Sequence, residues 1–266
     1  MSLVAGIDCG AGFTKAVLLE QQDGETPVVL GRGRVPTGVR LEEAAGAALN
    51  LALEEAGRER SQVAYVATTG FGRYSIGFRD IQITEITSAA RGAFHLFPPT
   101  QCVLDIGSQS TRAIGLRAGG KVRAFKINDK CAAGSGMFIV RAAKYLETPI
   151  ERVGELSLLA AAPQPISSVC AVLAESEIIN HVSAGAGVEE IFRGIHDSLA
   201  DRSAALLKRV GLGGQLTLIG GVAQQKGLVA ALEQRLGAAV HVPADLDYVC
   251  ALGAALLGLT RLGQKT

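Results

Sequence analysis

The sequence predicts a mixed α/β chain built from one unit used twice. Three observations carry this. A short apolar run, an Asp-x-Gly turn and a second apolar run occur around Asp8 and again around Asp105, about 97 positions on. Each copy is followed by alternating helix-like and strand-like segments. A proline pair, Pro98-Pro99, separates the copies and is incompatible with a continuing helix.

The elements follow in order. Leu3 to Ile7 and Ala16 to Leu19 are apolar runs flanking Asp8-Cys9-Gly10-Ala11-Gly12-Phe13-Thr14-Lys15. This reads as a hairpin rather than a strand leading into a helix. A Walker loop or a Rossmann loop must open a helix, so neither pattern is present. A third strand covers Val28 to Arg34. Leu41 to Ala56 has apolar residues at helical spacing and stops at Gly57, a suitable C-cap. Val63 to Thr68 is a strand followed by a Thr69-Gly70-Phe71-Gly72-Arg73 loop, Ile81 to Ile86 a short strand, and Thr87 to Leu96 a helix.

After the prolines, Cys102 to Leu116 repeats the hairpin around Asp105-Ile106-Gly107-Ser108-Gln109-Ser110, and Lys121 to Ile127 is its third strand. Helices are expected over Phe138 to Leu146, Ile150 to Ala160, Ala171 to Ser183, Val188 to Val210 and Lys226 to Leu236, with short strands at Leu216 to Ile219 and Val240 to Val242. A last helix spans Ala251 to Leu262. The expected lobes are residues 1–97 and 98–250, with the final helix in 251–266 packing back on the first lobe.

Bulk properties exclude several classes. At 266 residues, with 48% hydrophobic and 19% charged residues, the chain buries a large core. A net charge of +1 argues against nucleic acid or a membrane surface as partner. No apolar run has a membrane-spanning length. The start lacks a basic region and an apolar signal core, so the expected location is cytoplasmic. Five cysteines at scattered positions do not form a disulfide framework. Cys9, Cys102 and Cys250 lie in or beside apolar segments and read as buried small hydrophobes.

Cys131 and Cys170 differ. Each sits in a short glycine- or serine-bearing loop that opens a helix: Asn128-Asp129-Lys130-Cys131-Ala132-Ala133-Gly134-Ser135-Gly136, and Ser167-Ser168-Val169-Cys170-Ala171. A helix N-terminus favours a thiolate, and paired thiolates suit a soft metal or an iron–sulfur centre. Two cysteines cannot complete a four-thiolate site, but two chains meeting at an axis could. The paired turns suggest nucleotide bound in a cleft between the copies. Backbone N–H groups would face phosphate, Asp8 and Asp105 would face Mg2+, and Gly220-Gly221 would let the backbone approach an adenosine. Lys15 reads equally as a phosphate contact or an exposed strand lysine. His181, His196 and His241 lack metal-ligand spacing and read as structural. Glu175 and Glu177 read as solvated helix charges, or as groups that adjust a nearby centre or hold a neighbouring subunit.

On Gly6-Ile7-Asp8-x-Gly10, Ala67-Thr68-Thr69-Gly70-x-Gly72, Asp105-Ile106-Gly107-x-Gln109, the Cys131 loop, Ala171-Val172-x-Ala174-Glu175-Ser176-Glu177, Gly194-Ile195-His196 and Gly220-Gly221-Val222-Ala223-Gln224, the chain resembles the sugar-kinase/heat-shock/actin ATPase superfamily. Within it, the chain is similar to activators of 2-hydroxyacyl-CoA dehydratases and to ATP-binding subunits of ATP-dependent benzoyl-CoA reductase. The resemblance implies duplicated actin/ribonuclease-H-like ATPase domains with a nucleotide cleft between them. It assigns Asp8, Asp105 and Gln109 to catalysis, and Gly10, Ala11, Gly12, Phe13, Thr14, Lys15, Gly107, Ser108, Gly134, Gly220, Gly221 and Gln224 to nucleotide or cofactor binding. It makes Cys131 and Cys170 ligands of a [4Fe–4S] cluster shared between two subunits. The implied cofactors are thus ATP, Mg2+ and that cluster. The implied partners are an identical or sister ATP-binding subunit across a twofold or pseudo-twofold axis, acyl-CoA-binding catalytic subunits, and reduced ferredoxin or flavodoxin.

Two departures stand out. Ala11-Gly12 occupies the place of a Ser-Thr pair, and Ser110 replaces an expected Asp. Loss of that carboxylate argues against fast hydrolysis and against a carboxylate-assisted small-molecule kinase. It makes the chain look most like the smaller ATP-binding subunit of a benzoyl-CoA reductase, with a dehydratase activator next and a small-molecule kinase or a non-catalytic ATP-binding regulatory subunit as the less favoured rivals.

Overall fold

The computed structural model describes residues 2–22, 25–128, 134–167 and 171–264. The chain forms two compact units. One comprises Met1–Thr100, Leu116–Val122 and Asp247–Thr266, and the other Gln101–Gly115 and Arg123–Leu246.

In the first unit, β1 (Ser2–Cys9) pairs antiparallel with β2 (Phe13–Gln21), and β2 with β3 (Val28–Pro36). β4 (Tyr65–Thr69) adds parallel to β1, and the two-residue β5 (Ile81–Gln82) parallel to β4, giving the order β3-β2-β1-β4-β5. Side chains alternate across a strand. Leu3, Ala5, Ile7 and Cys9 therefore face α1 (Leu41–Ala56), while Val4 and Gly6 lie on the side covered by α8 (Val249–Gly263). Any side chain at Gly6 would strike the backbone of α8 at Ala251. α2 (Glu85–Leu96) begins where Thr84 Oγ1 accepts the Thr87 N–H at 3.2 Å. That cap ends the expected Ile81 to Ile86 strand early: the chain is paired only through Gln82.

The second unit repeats the order. β6 (Thr100–Ile106) pairs antiparallel with β7 (Thr111–Arg117), β8 (Lys121–Asn128) follows, and β9 (Gln215–Ile219) and β10 (Val240–His241) lie on the other side of β6, giving β10-β9-β6-β7-β8. Both sheets therefore run third-second-first-fourth-fifth within their own repeat, the duplication that the paired hairpins lead one to expect. The core beneath the second sheet joins Leu104 and Ile106 to Phe138 of α3 (Gly136–Tyr145), Phe192 and Ile195 of α6 (Val188–Val210), and Leu228 and Leu232 of α7 (Lys226–Leu236). α4 (Ile150–Leu156) stops short of the expected Ala160, because buried Ser157 opens a 3-10 turn and gives its hydroxyl to Gly154 O. α5 (Ala171–Ser183) completes the unit. Among the described residues, no helix is long and apolar enough to cross a membrane.

Candidate nucleotide site

Each hairpin turn is built in the same way. In the first, Asp8 lies opposite Lys15 in the β1–β2 register, and Lys15 Nζ is 3.4 Å from Asp8 Oδ2. In the second, Asp105 lies opposite Arg112, whose Nη1 is 2.9 Å from Asp105 Oδ2. Both carboxylates are mostly buried, at 9% and 4% exposure. A buried carboxylate needs a partner for its charge, and a cation seven residues later supplies it each time.

The other carboxylate oxygen meets a glycine. A Cβ at Gly70, where φ is +87°, would lie 2.5 Å from Asp8 Oδ1 and from Cys9 O. A Cβ at Gly220, where φ is +88°, would lie 2.7 Å from Asp105 Oδ1 and 2.6 Å from Ile106 O. These glycines follow β4 and β9, the corresponding fourth strands. Only glycine combines that backbone with so close an approach.

The peptide planes of both turns have a defined direction. Thr37 N–H donates to Gly12 O at 3.1 Å, and Thr37 Oγ1 donates to Gly10 O at 2.7 Å. In a trans peptide the N–H points opposite to the C=O. The N–H groups of Ala11 and Phe13 therefore aim away from Thr37. In the second turn Gly107 O accepts the Gly136 N–H at 2.9 Å and Ser108 O accepts the Met137 N–H at 2.8 Å. The N–H groups of Ser108 and Gln109 thus aim away from α3. Successive N–H groups on one side of a turn form an anion cradle. Such a cradle suits a phosphate group, and a nearby carboxylate suits Mg2+, which keeps several of its waters.

The remaining expected site residues take varied positions. Lys15 Nζ lies over Gly10: a Cβ there would be 3.5 Å away. Thr14 is fully buried, with its hydroxyl 2.9 Å from Thr37 Oγ1, so its side chain braces the turn. The Phe13 ring carries the Arg34 guanidinium at 3.9 Å. Gln109, Gly221 and Gln224 are exposed, and Ser110 is half-buried with its carbonyl accepting the Gly107 N–H. Gly134 is buried, and its carbonyl accepts the Thr111 hydroxyl. Cys131 and Cys170 lie outside the described residues. α3 starts at Gly136 and α5 at Ala171, so both cysteines shortly precede a helix in sequence. Among the described residues, no group of three His, Cys, Asp or Glu is placed to hold a metal ion.

Cys9 and Cys102 are fully buried, and burial pushes the Cys9 thiol up. Glu175 is held by Arg141 at 3.1 Å and by the Tyr145 hydroxyl at 3.4 Å, while Glu177 accepts the Ser167 N–H. His196 is fully buried with its Nδ1 2.9 Å from Ser157 Oγ, and burial lowers its pKa to about 3. Sequence reasoning missed Arg112, Thr111 and Thr37. The first two were legible as the repeat mates of Lys15 and Thr14; Thr37 had no local signal.

The family model for the BadF/BadG/BcrA/BcrD ATPases matches residues 5–258. The chain belongs to this ATPase family. Among BadF/BadG/BcrA/BcrD relatives, a component of the benzoyl-CoA reductase of Thauera aromatica is 41% identical over 280 residues, covering 100% of this chain and 98% of that protein. An activator of lactoyl-CoA dehydratase from Anaerotignum propionicum is 39% identical, covering 98% of each. The solved activator of 2-hydroxyisocaproyl-CoA dehydratase from Clostridium difficile, with ADPNP bound, superposes with a TM-score of 0.91 at 33% identity, covering 99% of this chain and 96% of that one.

Proposed function

We propose that this chain is the ATP-binding, electron-passing subunit of a benzoyl-CoA-reductase-type enzyme. Its backbone cradles at Ala11–Phe13 and Ser108–Gln109 bind the phosphates. Lys15 and Arg112, the ion-pair partners of Asp8 and Asp105, offset negative charge there. Asp8 and Asp105 would each offer a carboxylate to the waters of Mg2+, and Gly220-Gly221 would give the adenosine side close access to backbone. Cys131 and Cys170, joined by two cysteines of an identical or sister subunit, hold a [4Fe–4S] cluster. When bound, that cluster supplies a low-potential one-electron carrier. The helix starts beside the cysteines favour thiolates as ligands.

The observation that supports the reading most is local. The second Asp-x-Gly turn is hydrogen-bonded through Gly107 O and Ser108 O to the first residues of α3, the helix that follows Cys131. A change at the turn therefore has a direct route to the cysteine-bearing connection. Reduced ferredoxin or flavodoxin would be the electron donor, and an acyl-CoA-binding catalytic subunit the acceptor. Cytoplasmic location follows from that role. Ser110 leaves the second turn without a second carboxylate, beyond Asp105, to orient the attacking water, so this chain hydrolyses ATP slowly and depends on its sister subunit for fast turnover. The likeness to the lactoyl-CoA dehydratase activator favours a second reading, an activator that serves a 2-hydroxyacyl-CoA dehydratase.

The reading is tested by anaerobic reconstitution with each catalytic component. ATP-dependent reduction of benzoyl-CoA supports it. Reaction only with a 2-hydroxyacyl-CoA dehydratase selects the second reading. Failure of the chain to bind ADP or ADPNP overturns both.

A further inference from the structure

The two repeats differ in what one buried threonine holds. Thr14 and Thr111 occupy the same place after their aspartates, and both are buried, at 0% and 2% exposure. In the first repeat, Thr14 is hydrogen-bonded to Thr37, which in turn donates to Gly10 O and Gly12 O. This ties the turn to the connection between β3 and α1. In the second repeat, Thr111 Oγ1 donates directly to Gly134 O. That ties the turn to the connection between β8 and α3, in which Cys131 stands. The same strap thus recurs, and in the second copy it grips the cysteine-bearing connection.

Two further contacts converge there. Gly136 has room for no side chain: a Cβ would lie 2.6 Å from Val222 Cγ2 and 3.1 Å from Gly107 O. The start of α3 is therefore wedged between the second turn and the 220–224 loop. Its N–H groups at Gly136 and Met137 are bonded to the turn. Tight packing of this kind moves as a unit rather than deforming smoothly.

Resting on the nucleotide reading above, we propose that Thr111 is a positioning residue that couples the nucleotide state of the second turn to the start of α3. Its buried hydroxyl holds Gly134 O to β7, so a shift of the Gly107–Ser110 turn carries the Gly134–Met137 segment with it. Thr111 acts through Gly134 O, to which its hydroxyl donates. Without the hydroxyl the turn still binds phosphate through its N–H groups, but α3 follows it only through the Gly136 and Met137 bonds and the Gly134 end is released.

The test compares the wild-type chain with Thr111→Val and Thr111→Ser. ADP and ADPNP affinities are measured by calorimetry, and amide exchange of peptides covering residues 134–145 is measured with each nucleotide. The expected wild-type result is binding of both nucleotides and a difference in α3 exchange between them. Thr111→Val should bind both within about threefold of wild type yet show a clearly reduced difference. Thr111→Ser, which keeps the donor, should restore it. An undiminished difference in Thr111→Val overturns the coupling and leaves nucleotide binding standing. Loss of the difference in Thr111→Ser overturns it too, because the hydroxyl is then not the carrier. No nucleotide bound by the wild type overturns the functional reading and this inference together.

Discussion

Replacing Gly220 by Ala tests the carboxylate cradle directly. Gly220 has φ 88° and ψ 163°, a region populated almost only by glycine, and an outlier there costs about 1–3 kcal/mol. The new Cβ would also lie 2.6 Å from Ile106 O and 2.7 Å from Asp105 Oδ1, and overpacking adds about 1–3 kcal/mol. Restricting the unfolded chain returns about 0.4–1 kcal/mol. The net expectation is a loss of about 1–5 kcal/mol, centred near 3. Gly57 is the control. It has φ 60° and ψ 40° at the end of α1, but a Cβ there meets nothing within 4 Å. Gly57→Ala carries only the left-handed backbone cost, about 1 kcal/mol before the same unfolded-state gain. Urea unfolding and ADP calorimetry on both variants give the answer. Gly220→Ala should lower the midpoint clearly more than Gly57→Ala and weaken ADP binding at least about tenfold, since displacement of Asp105 disturbs the second turn. Equal destabilisation in the two variants, with ADP affinity unchanged, would refute the close-packing argument.

Other outcomes follow from the same geometry. Arg112→Met leaves the Asp105 carboxylate without its 2.9 Å partner and should cost about 2–4 kcal/mol with weaker ADP binding, whereas Arg112→Lys should recover part of both; wild-type stability in Arg112→Met would contradict the pairing. His196 has its pKa lowered to about 3, so between that value and the ordinary 6.5 the unfolded chain binds a proton that the folded chain refuses. Stability should therefore fall as pH drops below about 6.5, by about 2 kcal/mol at pH 5, and His196→Asn should flatten that slope in urea unfolding at the two pH values. Ser110→Asp should raise steady-state ATP hydrolysis about tenfold or more, in keeping with a restored water-orienting group, and no increase would detach Ser110 from turnover.

The repeated fold was legible because both hairpins carry an apolar run on each side of an Asp-x-Gly turn, and because a strand's alternation fixes which face each residue takes. The hairpin reading of residues 3–19 also kept the turn apart from loops that open a helix. The elements that differ do so for local reasons. Thr84 caps α2 and cuts the strand at Gln82, and Ser157 turns away to bond Gly154 and His196. Neither choice is visible in periodicity. In the site, the aspartates and glycines announce themselves by spacing, but their partners are set by cross-strand register. Arg112 faces Asp105 only once β6 and β7 are aligned. The straps from Thr37 and Thr111 join segments far apart in sequence, and no short motif encodes them.

In the proposed function, Cys131 and Cys170 give each chain two ligands of a shared cluster. Iron and acid-labile sulfide, with an EPR spectrum after dithionite, should be measured on anaerobically purified protein, alone and with a sister subunit, for the wild type, Cys131→Ser and Cys170→Ser. The account predicts about four irons per two chains in at least one preparation, with a reduced-cluster signal lost in both variants. Wild-type protein without iron in either preparation, or a full cluster surviving both substitutions, would contradict it.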